Sequence, residues 1–263
     1  MSAPRTTAFK VVIPARYGAT RLPGKPLRML AGQAMILHVL ARARESGAAA
    51  VVVATEDVRI RDVVVAAGGT VCMTSVRHLS GTDRLAEAVT QLGWGDEEIV
   101  VNLQGDEPLM PPGLIRQVAE DLHDHQADAR VATLCTPITD RAVLFDPNIV
   151  KVVLDQVGYA LYFSRAPIPW ARDAFAASGT GLPPEPVYFR HLGIYAYRAA
   201  ALKAFAAQDP SPLERLETLE QLRVLWHGGR IHVACAAEAP GPPGVDTEAD
   251  LQRAQALLET PPQ

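Results

Sequence analysis

The chain has 263 residues, 48% of them hydrophobic and 21% charged, enough to bury a sizeable core without disulfide or metal support. That apolar content excludes disorder as the main state. A formal charge of -4 excludes a bulk positive field for nucleic acid or anionic membrane, and 6% aromatic residues argue against stacking platforms for single strands.

The first half alternates short apolar runs with helical patterns. Phe9–Pro14 (FKVVIP) reads as a buried strand, and Ile36–Ser46 as an amphipathic helix stopped at Gly47. Ala50–Ala54 is a second strand. Val58–Ala67 is a helix ending at Gly68-Gly69, and Thr70–Met73 is a third strand. Thr82–Leu92 follows as a helix opened by Gly81-Thr82-Asp83. Ile99–Leu103 is a fourth strand, and Pro111–Leu122 a helix with prolines at its start. Continuous apolar strands alternating with helices predict an α/β fold with a Rossmann-like, mostly parallel central sheet and helices on both faces. After about residue 130 the pattern changes. Val131–Thr136, Val150–Leu154, Tyr159–Phe163 and His191–Tyr197 read as strands with few helices between them, an antiparallel excursion in the C-terminal half. Ala174–Pro186, rich in Gly, Pro and Ala, reads as a mobile loop. Then come helices over Ala199–Ala207 and Leu213–Trp226, the second striped by Leu216, Leu219, Leu222 and Leu225. A strand over Val233–Ala236, a helix over Thr247–Leu258 and a frayed ETPPQ tail complete the chain.

Cys72, Cys135 and Cys235 are far apart in apolar runs, without metal-ligand spacing; they read as buried small hydrophobes in a reducing compartment. Trp94, Trp170 and Trp226 read as packing anchors, and His38, His123, His125, His227 and His232 have no partner pattern. No apolar stretch approaches a membrane span and no signal-peptide core is present, so a cytoplasmic protein is expected.

The segment Val12–Leu27 carries the strongest chemical signal. Gly18, Pro23, Gly24 and Pro26 break the chain just past the first strand, with Arg16, Arg21 and Lys25 among them. Ligands of open α/β sheets bind beyond the carboxyl ends of the strands. Three cations and bare backbone N–H groups there suit a polyphosphate. The loop is neither a Walker loop nor a GxGxxG turn. Asp106 and Glu107 end the fourth strand in VNLQGDEP, where an Asp serves either as a turn or cap residue or as a ligand for Mg²⁺. Asp246 or Thr247 in GVDTEAD suits a cap of the last helix. Ser80 or Thr82 suits a helix cap, and Ser80-Gly81 also leaves room for a flat pyrimidine. Arg165 and Arg172 flank APIPW, either as surface charges or as forks for a carboxylate. His191, Tyr195 and Tyr197 alternate on one strand face, as core aromatics or sugar contacts.

The basic loop resembles the signature of the sugar nucleotidyltransferases. Together with NLQGDEP, SGTDRLAE, YALYFSRAPIPW, RHLGIYAYR, LEQLRVLW and GVDT, the chain is similar to the 3-deoxy-manno-octulosonate cytidylyltransferases (CMP-Kdo synthetases) from about Phe9 to the last helix. One departure is Arg77 before His78, where the family has an acidic residue. The resemblance implies one nucleotidyltransferase domain over 1–263. Within it, 9–130 would mainly bind CTP, and 131–246 would mainly bind the sugar acid and dimerise. It implies transfer of CMP from CTP to the anomeric hydroxyl of Kdo, with pyrophosphate released, for lipopolysaccharide biosynthesis. The implied catalytic groups are Arg16, Lys25, Asp106 and Asp246, the two aspartates holding Mg²⁺. CTP would be met by Arg16, Arg21, Lys25, Ser80, Gly81 and Gln104. The sugar acid would be met by Gln104, Arg165, Arg172, His191, Tyr195, Glu220 and Gln221. A cytoplasmic homodimer is implied, with CTP and Kdo as its small-molecule partners and neither nucleic acid nor membrane. The alternatives are a sialic-acid type of CMP-sugar-acid synthetase, a glycosyltransferase, for which QGDEP is not the DxD motif, and a non-catalytic nucleotide-sensing module.

Overall fold

The computed structural model describes residues 7–18, 22–78, 80–176, 182–183 and 187–259. Arg21, Leu79, most of the Ala174–Pro186 segment read as mobile, and the end of the tail read as frayed lie outside the described residues.

The chain opens with β1 (Phe9–Ala15) and the basic loop, then a small hairpin of β2 (Met29–Leu30) and β3 (Gln33–Ala34), and α1 (Met35–Glu45). Strands and helices then alternate: β4 (Ala50–Thr55), α2 (Val58–Ala66), β5 (Thr70–Met73), α3 (Gly81–Gln91), β6 (Ile99–Asn102) and α4 (Pro112–Asp124). The second half holds β7 (Val131–Pro137), α5 (Arg141–Phe145), β8 (Lys151–Leu154), β9 (Ala160–Ser164), α6 (Arg172–Ala176) and β10 (Phe189–Arg198). It ends with α7 (Ala199–Ala206), α8 (Pro212–Glu217), α9 (Gln221–Trp226), β11 (Ile231–Cys235) and α10 (Glu248–Glu259).

The main sheet runs β11-β7-β10-β6-β1-β4-β5, with β8 added beside β10 and β9 beside β8. β1 lies parallel between β4 and β6, β5 continues parallel from β4, and β11 is parallel to β7. β10 runs antiparallel to β6, β7 and β8. The α/β expectation, with its antiparallel excursion, therefore holds. The strands are apolar throughout because both sheet faces are covered. Val11, Ile13, Val53 and Val101 pack against α1, α2 and α4, whereas Val12, Val52 and Val100 pack against α3 and α7. Each such fully buried aliphatic side chain contributes about 1.5–3 kcal/mol. No helix among the described residues is long and apolar enough to cross a membrane.

Several sequence expectations need correction. The single helix expected over Leu213–Trp226 is two, broken at Thr218, which adopts a left-handed conformation (φ 55°, ψ 49°). The break turns the leucine stripe out of register. Leu219 and Leu222 are buried, but Leu216 is 82% exposed. A buried ion pair spans the break, with Arg223 Nε donating to Glu214 Oε2 at 2.8 Å. The segment read as a loop from Ala174 starts inside α6. Cys235 is exposed, and Trp170 and Trp226 are largely exposed, so neither tryptophan is a core anchor.

Candidate active site

A crevice opens beyond the carboxyl ends of β1 and β6, where the parallel sheet meets the antiparallel excursion. It has two lobes. The first, about 320 Å³, is bounded by Arg16, Lys25, Gly105, Asp106 and Asp246. The second, about 650 Å³, is bounded by Ser80, Arg190, His191, Tyr195, Tyr197 and Glu220. Arg16, Gly81 and Gln104 line both, so one ligand can reach from lobe to lobe.

In the first lobe, Lys25 Nζ donates to Asp106 Oδ2 and to Asp246 Oδ1, each at 2.8 Å. Burial works against its charge, but the pull and hydrogen bonds of Asp106 and then Asp246 outweigh it and hold the ammonium above its ordinary range. Backbone geometry brings the two aspartates together. The Val245 N–H donates to the Asp106 carbonyl at 2.8 Å. At the start of α10, Thr247 Oγ1 accepts from the Asp250 N–H at 3.2 Å while Asp250 Oδ2 accepts from the Thr247 N–H at 2.8 Å. That reciprocal cap is Thr247's work, which leaves the Asp246 carboxylate to face Lys25. Gly105 makes the turn beside Asp106 possible, because a Cβ there would lie 2.7 Å from the Pro14 carbonyl oxygen. Two carboxylate oxygens converging on one ammonium form a hard-oxygen donor set that suits Mg²⁺.

The basic loop is held from below by groups that carried no sequence signal. Arg84, 1% exposed, pairs with Glu56 Oε2 at 2.7 Å. Glu56 Oε1 accepts from the Tyr17 N–H at 3.3 Å. The Tyr17 carbonyl in turn accepts from the N–H of Gly24, whose positive φ of 66° starts the turn carrying Lys25. Arg16 and Lys25 are thus tied to a buried ion pair. Arg84 stood inside the SGTDR block without an assigned role.

The second lobe is built from buried and half-buried polar groups. β10 carries two extra residues between Leu192 and Tyr195 relative to β7. An even insertion preserves alternation, so His191, Tyr195 and Tyr197 all face the lobe as expected. The Tyr195 hydroxyl is buried without a hydrogen-bond partner, and burial, then Tyr197, holds its phenol well above the ordinary range. His191 Nε2 lies 3.0 Å from Thr133 Oγ1, which also meets the carbonyls of Leu192 and Ile194 at 3.1 and 2.7 Å. A hydroxyl has one proton and carbonyls only accept. Nε2 therefore donates to Thr133, and Nδ1 is left as an acceptor. Burial, reinforced by Arg190, drives the imidazole down to about 3, so it is neutral at physiological pH. Thr82 Oγ1 donates to Glu220 Oε2 at 2.6 Å, and Glu220 and Gln221 line the lobe because the helix breaks before them. Burial raises the Glu220 carboxyl despite the Thr82 bond. Next to Asp106 but outside the lining of either lobe, burial and then Asp106 push Glu107 up to about 8.

Of the expected residues, the crevice gathers Arg16, Lys25, Ser80, Gly81, Gln104, Asp106, His191, Tyr195, Glu220, Gln221 and Asp246. Ser80 is also the cap of α3, its Oγ accepting from the Asp83 N–H at 3.1 Å. Two arginines do not line it. Arg165 Nε donates to the Glu217 carbonyl at 2.8 Å and its Nη1 to the Pro147 carbonyl at 3.1 Å. Arg172 is exposed on α6 and pairs with Asp173. Besides Arg16, the second lobe is lined by Arg190, first residue of the RHLGIY block, which had no assigned role. The Arg77 departure leaves its neighbour engaged, since His78 Nε2 bonds Glu87 Oε2. Away from the crevice, Asp121, His125 and His232 come together near the end of α4. The two imidazoles stack nearly parallel, 3.4 Å between centroids, so their in-plane lone pairs do not converge on one ion. The cluster packs beside Tyr159.

The family Cytidylyltransferase matches residues 10–231. The 3-deoxy-manno-octulosonate cytidylyltransferase of Nitrosococcus oceani is 62% identical over 254 residues, 96% of this chain and 97% of that protein. The protein of the same name from Idiomarina loihiensis is 58% identical, covering 95% of this chain and 98% of its own. Among solved structures, CMP:2-keto-3-deoxy-manno-octonic acid synthetase complexed with CTP superposes with a TM-score of 0.85 at 44% identity, covering 95% of this chain and 98% of the other.

Proposed function

The chain belongs to the cytidylyltransferase family, and on that premise we propose that it transfers CMP from CTP to the anomeric hydroxyl of 3-deoxy-D-manno-octulosonate, releasing pyrophosphate. The hydroxyl oxygen attacks the α-phosphorus in line, the bond from that phosphorus to the bridging oxygen breaks, and the hydroxyl proton passes to solvent. Positioning and charge neutralisation do most of the work in such transfers. The observation that carries this reading is the shared boundary of the lobes: Arg16, Gly81 and Gln104 face both the cationic end and the buried polar end.

In this reading Arg16 and Lys25 neutralise the phosphates and the leaving pyrophosphate, and Arg21 is assigned to the same task from its place in the loop sequence. Ser80, Gly81 and Gln104 take the nucleoside. His191 Nδ1, the Tyr195 hydroxyl, Glu220 and Gln221 meet the sugar hydroxyls, and Arg190 meets the sugar-acid carboxylate in place of Arg165 and Arg172. Asp106 and Asp246 would hold Mg²⁺, and Lys25 would then turn from them to phosphate. When bound, the ion offsets phosphate charge and eases loss of the hydroxyl proton, so no side chain is assigned as general base. The same reading makes the protein a cytoplasmic homodimer whose product feeds lipopolysaccharide assembly, and sedimentation velocity checks the dimer.

A pyrophosphate-release screen of four nucleoside triphosphates against several sugar acids tests the proposal. The expected result is turnover with CTP and Kdo, abolished by EDTA. Preference for a sialic acid would overturn the assigned acceptor, and CTP binding without turnover on any acid would support a nucleotide-sensing module instead.

A further inference from the structure

Cys135 and Cys235, distant in sequence, come from strands that pair directly. β11 runs parallel to β7 with Cys235 opposite Cys135, and the two Sγ atoms lie 3.9 Å apart. Neighbouring strands sit about 4.8 Å apart, within the roughly 4.4–6.8 Å Cα separation that a disulfide accepts. Both side chains leave the same face of the sheet, so closure asks for side-chain rotation rather than strand movement. Cys235 is exposed and Cys135 is buried. The third thiol, Cys72, is buried elsewhere and donates to Gln91 Oε1 at 3.3 Å.

We propose that Cys135 and Cys235 form a dithiol that closes to a reversible intrachain disulfide when a small soluble disulfide such as oxidised glutathione reaches Cys235. In the first step the Cys235 thiolate attacks one sulfur of the oxidant, forming a mixed disulfide and expelling one glutathione thiolate. In the second, the Cys135 sulfur attacks the Cys235 sulfur, loses its proton to solvent and expels the second glutathione. Two protein thiols are oxidised to one disulfide, and one glutathione disulfide is reduced to two thiols. Exposure sets the order of events. Burial, then the neighbouring Cys235, raises the Cys135 thiol, so the second step speeds up with pH. Cys135 lies on the strand beside β10, with His191 as its register partner there.

The test uses the full chain, reduced, desalted and incubated with oxidised glutathione, then acid-quenched for intact mass and non-reducing peptide mapping. The wild type is expected to lose two hydrogens in mass and yield a linked Cys135–Cys235 peptide pair. Dithiothreitol should reverse this, with Cys72 still alkylatable after unfolding. Cys135→Ala is expected to stop at one glutathione on Cys235, and Cys235→Ser to take up none while native. Circular dichroism checks that both variants fold. If the wild type instead keeps a stable glutathione on Cys235 beside a free Cys135, links two chains through Cys235, or retains all its thiols, the proposal is overturned. The Cys235→Ser arm keeps the test decisive if Cys135→Ala fails to fold.

Discussion

The two lobes of the crevice solve different physical problems with different materials. The first is made of charge: a lysine between two aspartates, with an arginine at the mouth, on loops beyond strand ends. The second is made chiefly of uncharged hydrogen-bonding groups on β10 and at the start of α9, several of them buried, with Arg190 and Glu220 among them. Charge acts through field and tolerates imperfect placement. A buried hydroxyl or imidazole acts through geometry, and an unmatched ligand leaves it unpaired at a cost. Rate should therefore be lost chiefly at the first lobe and acceptor selectivity at the second.

Asp106→Ala is the harshest challenge to that division. Turnover should fall on the order of 10³-fold or more, because an ion-holding group is worth several kcal/mol in the transition state, while the urea midpoint stays near that of the parent. Full activity would remove Asp106 from the site. Next, Lys25→Met should lower kcat/KM for CTP by about 10²–10³-fold, the cost of one preorganised donor, with KM for the sugar acid within about twofold. An equal rise in both KM values would erase the division between lobes. Tyr195→Phe deletes a hydroxyl that is buried and unpartnered in the ligand-free chain. KM for the sugar acid should rise about 3–10-fold, one net hydrogen bond, with CTP kinetics unchanged; a rise for CTP alone would reassign the lobe.

The second lobe also leaves a signature in stability. His191 is depressed from an ordinary 6.5 to about 3, so below its ordinary range only the unfolded chain binds this proton. The contribution is complete above about pH 6.5 and is lost as the pH falls toward about 3. The slope is about 1.4 kcal/mol per pH unit, or about 2 kcal/mol between roughly pH 6.5 and 5. Urea unfolding of His191→Gln should lack that portion of the acid destabilisation, and an unchanged pH profile would show that His191 is not buried as described. The smallest effect belongs to Arg172→Ala. An exposed pair contributes about 0–1 kcal/mol, so kinetics on both substrates should stay within about twofold, and a selective loss of sugar-acid affinity would bring α6 into the site.

Most of the first lobe was legible in sequence because its residues sit on contiguous loops at strand ends, where Gly, Pro and Lys leave a local signature: Gly24 before Lys25, Gly105 before Asp106. Asp246 was ambiguous for a definite reason. Local chemistry offers two caps for α10, and only the long-range bond from Val245 to Asp106 decides that Thr247 caps and Asp246 faces the lysine. The second lobe was less legible. A run of good helix formers through LERLETLEQL hides the left-handed Thr218 that delivers Glu220 to the wall, because tertiary contacts override propensity there. Arg165 and Arg190 look alike as sequence, and the Glu217 carbonyl and carboxylate that engage the first lie more than fifty residues away. The facing Cys135 and Cys235 depend on strand register, and the Arg84–Glu56 pair beneath the loop on how α3 packs beside the end of β4.

The most direct test of the divided crevice is a crystal structure of the chain with CTP and Mg²⁺ and no sugar acid. The account expects the triphosphate in the first lobe, Lys25 moved from the aspartates onto phosphate oxygens, and the Tyr195 hydroxyl still unpartnered by nucleotide. A triphosphate seated among His191, Tyr195 and Glu220, or one with Lys25 and Asp106 on unrelated sides of the ligand, would contradict it.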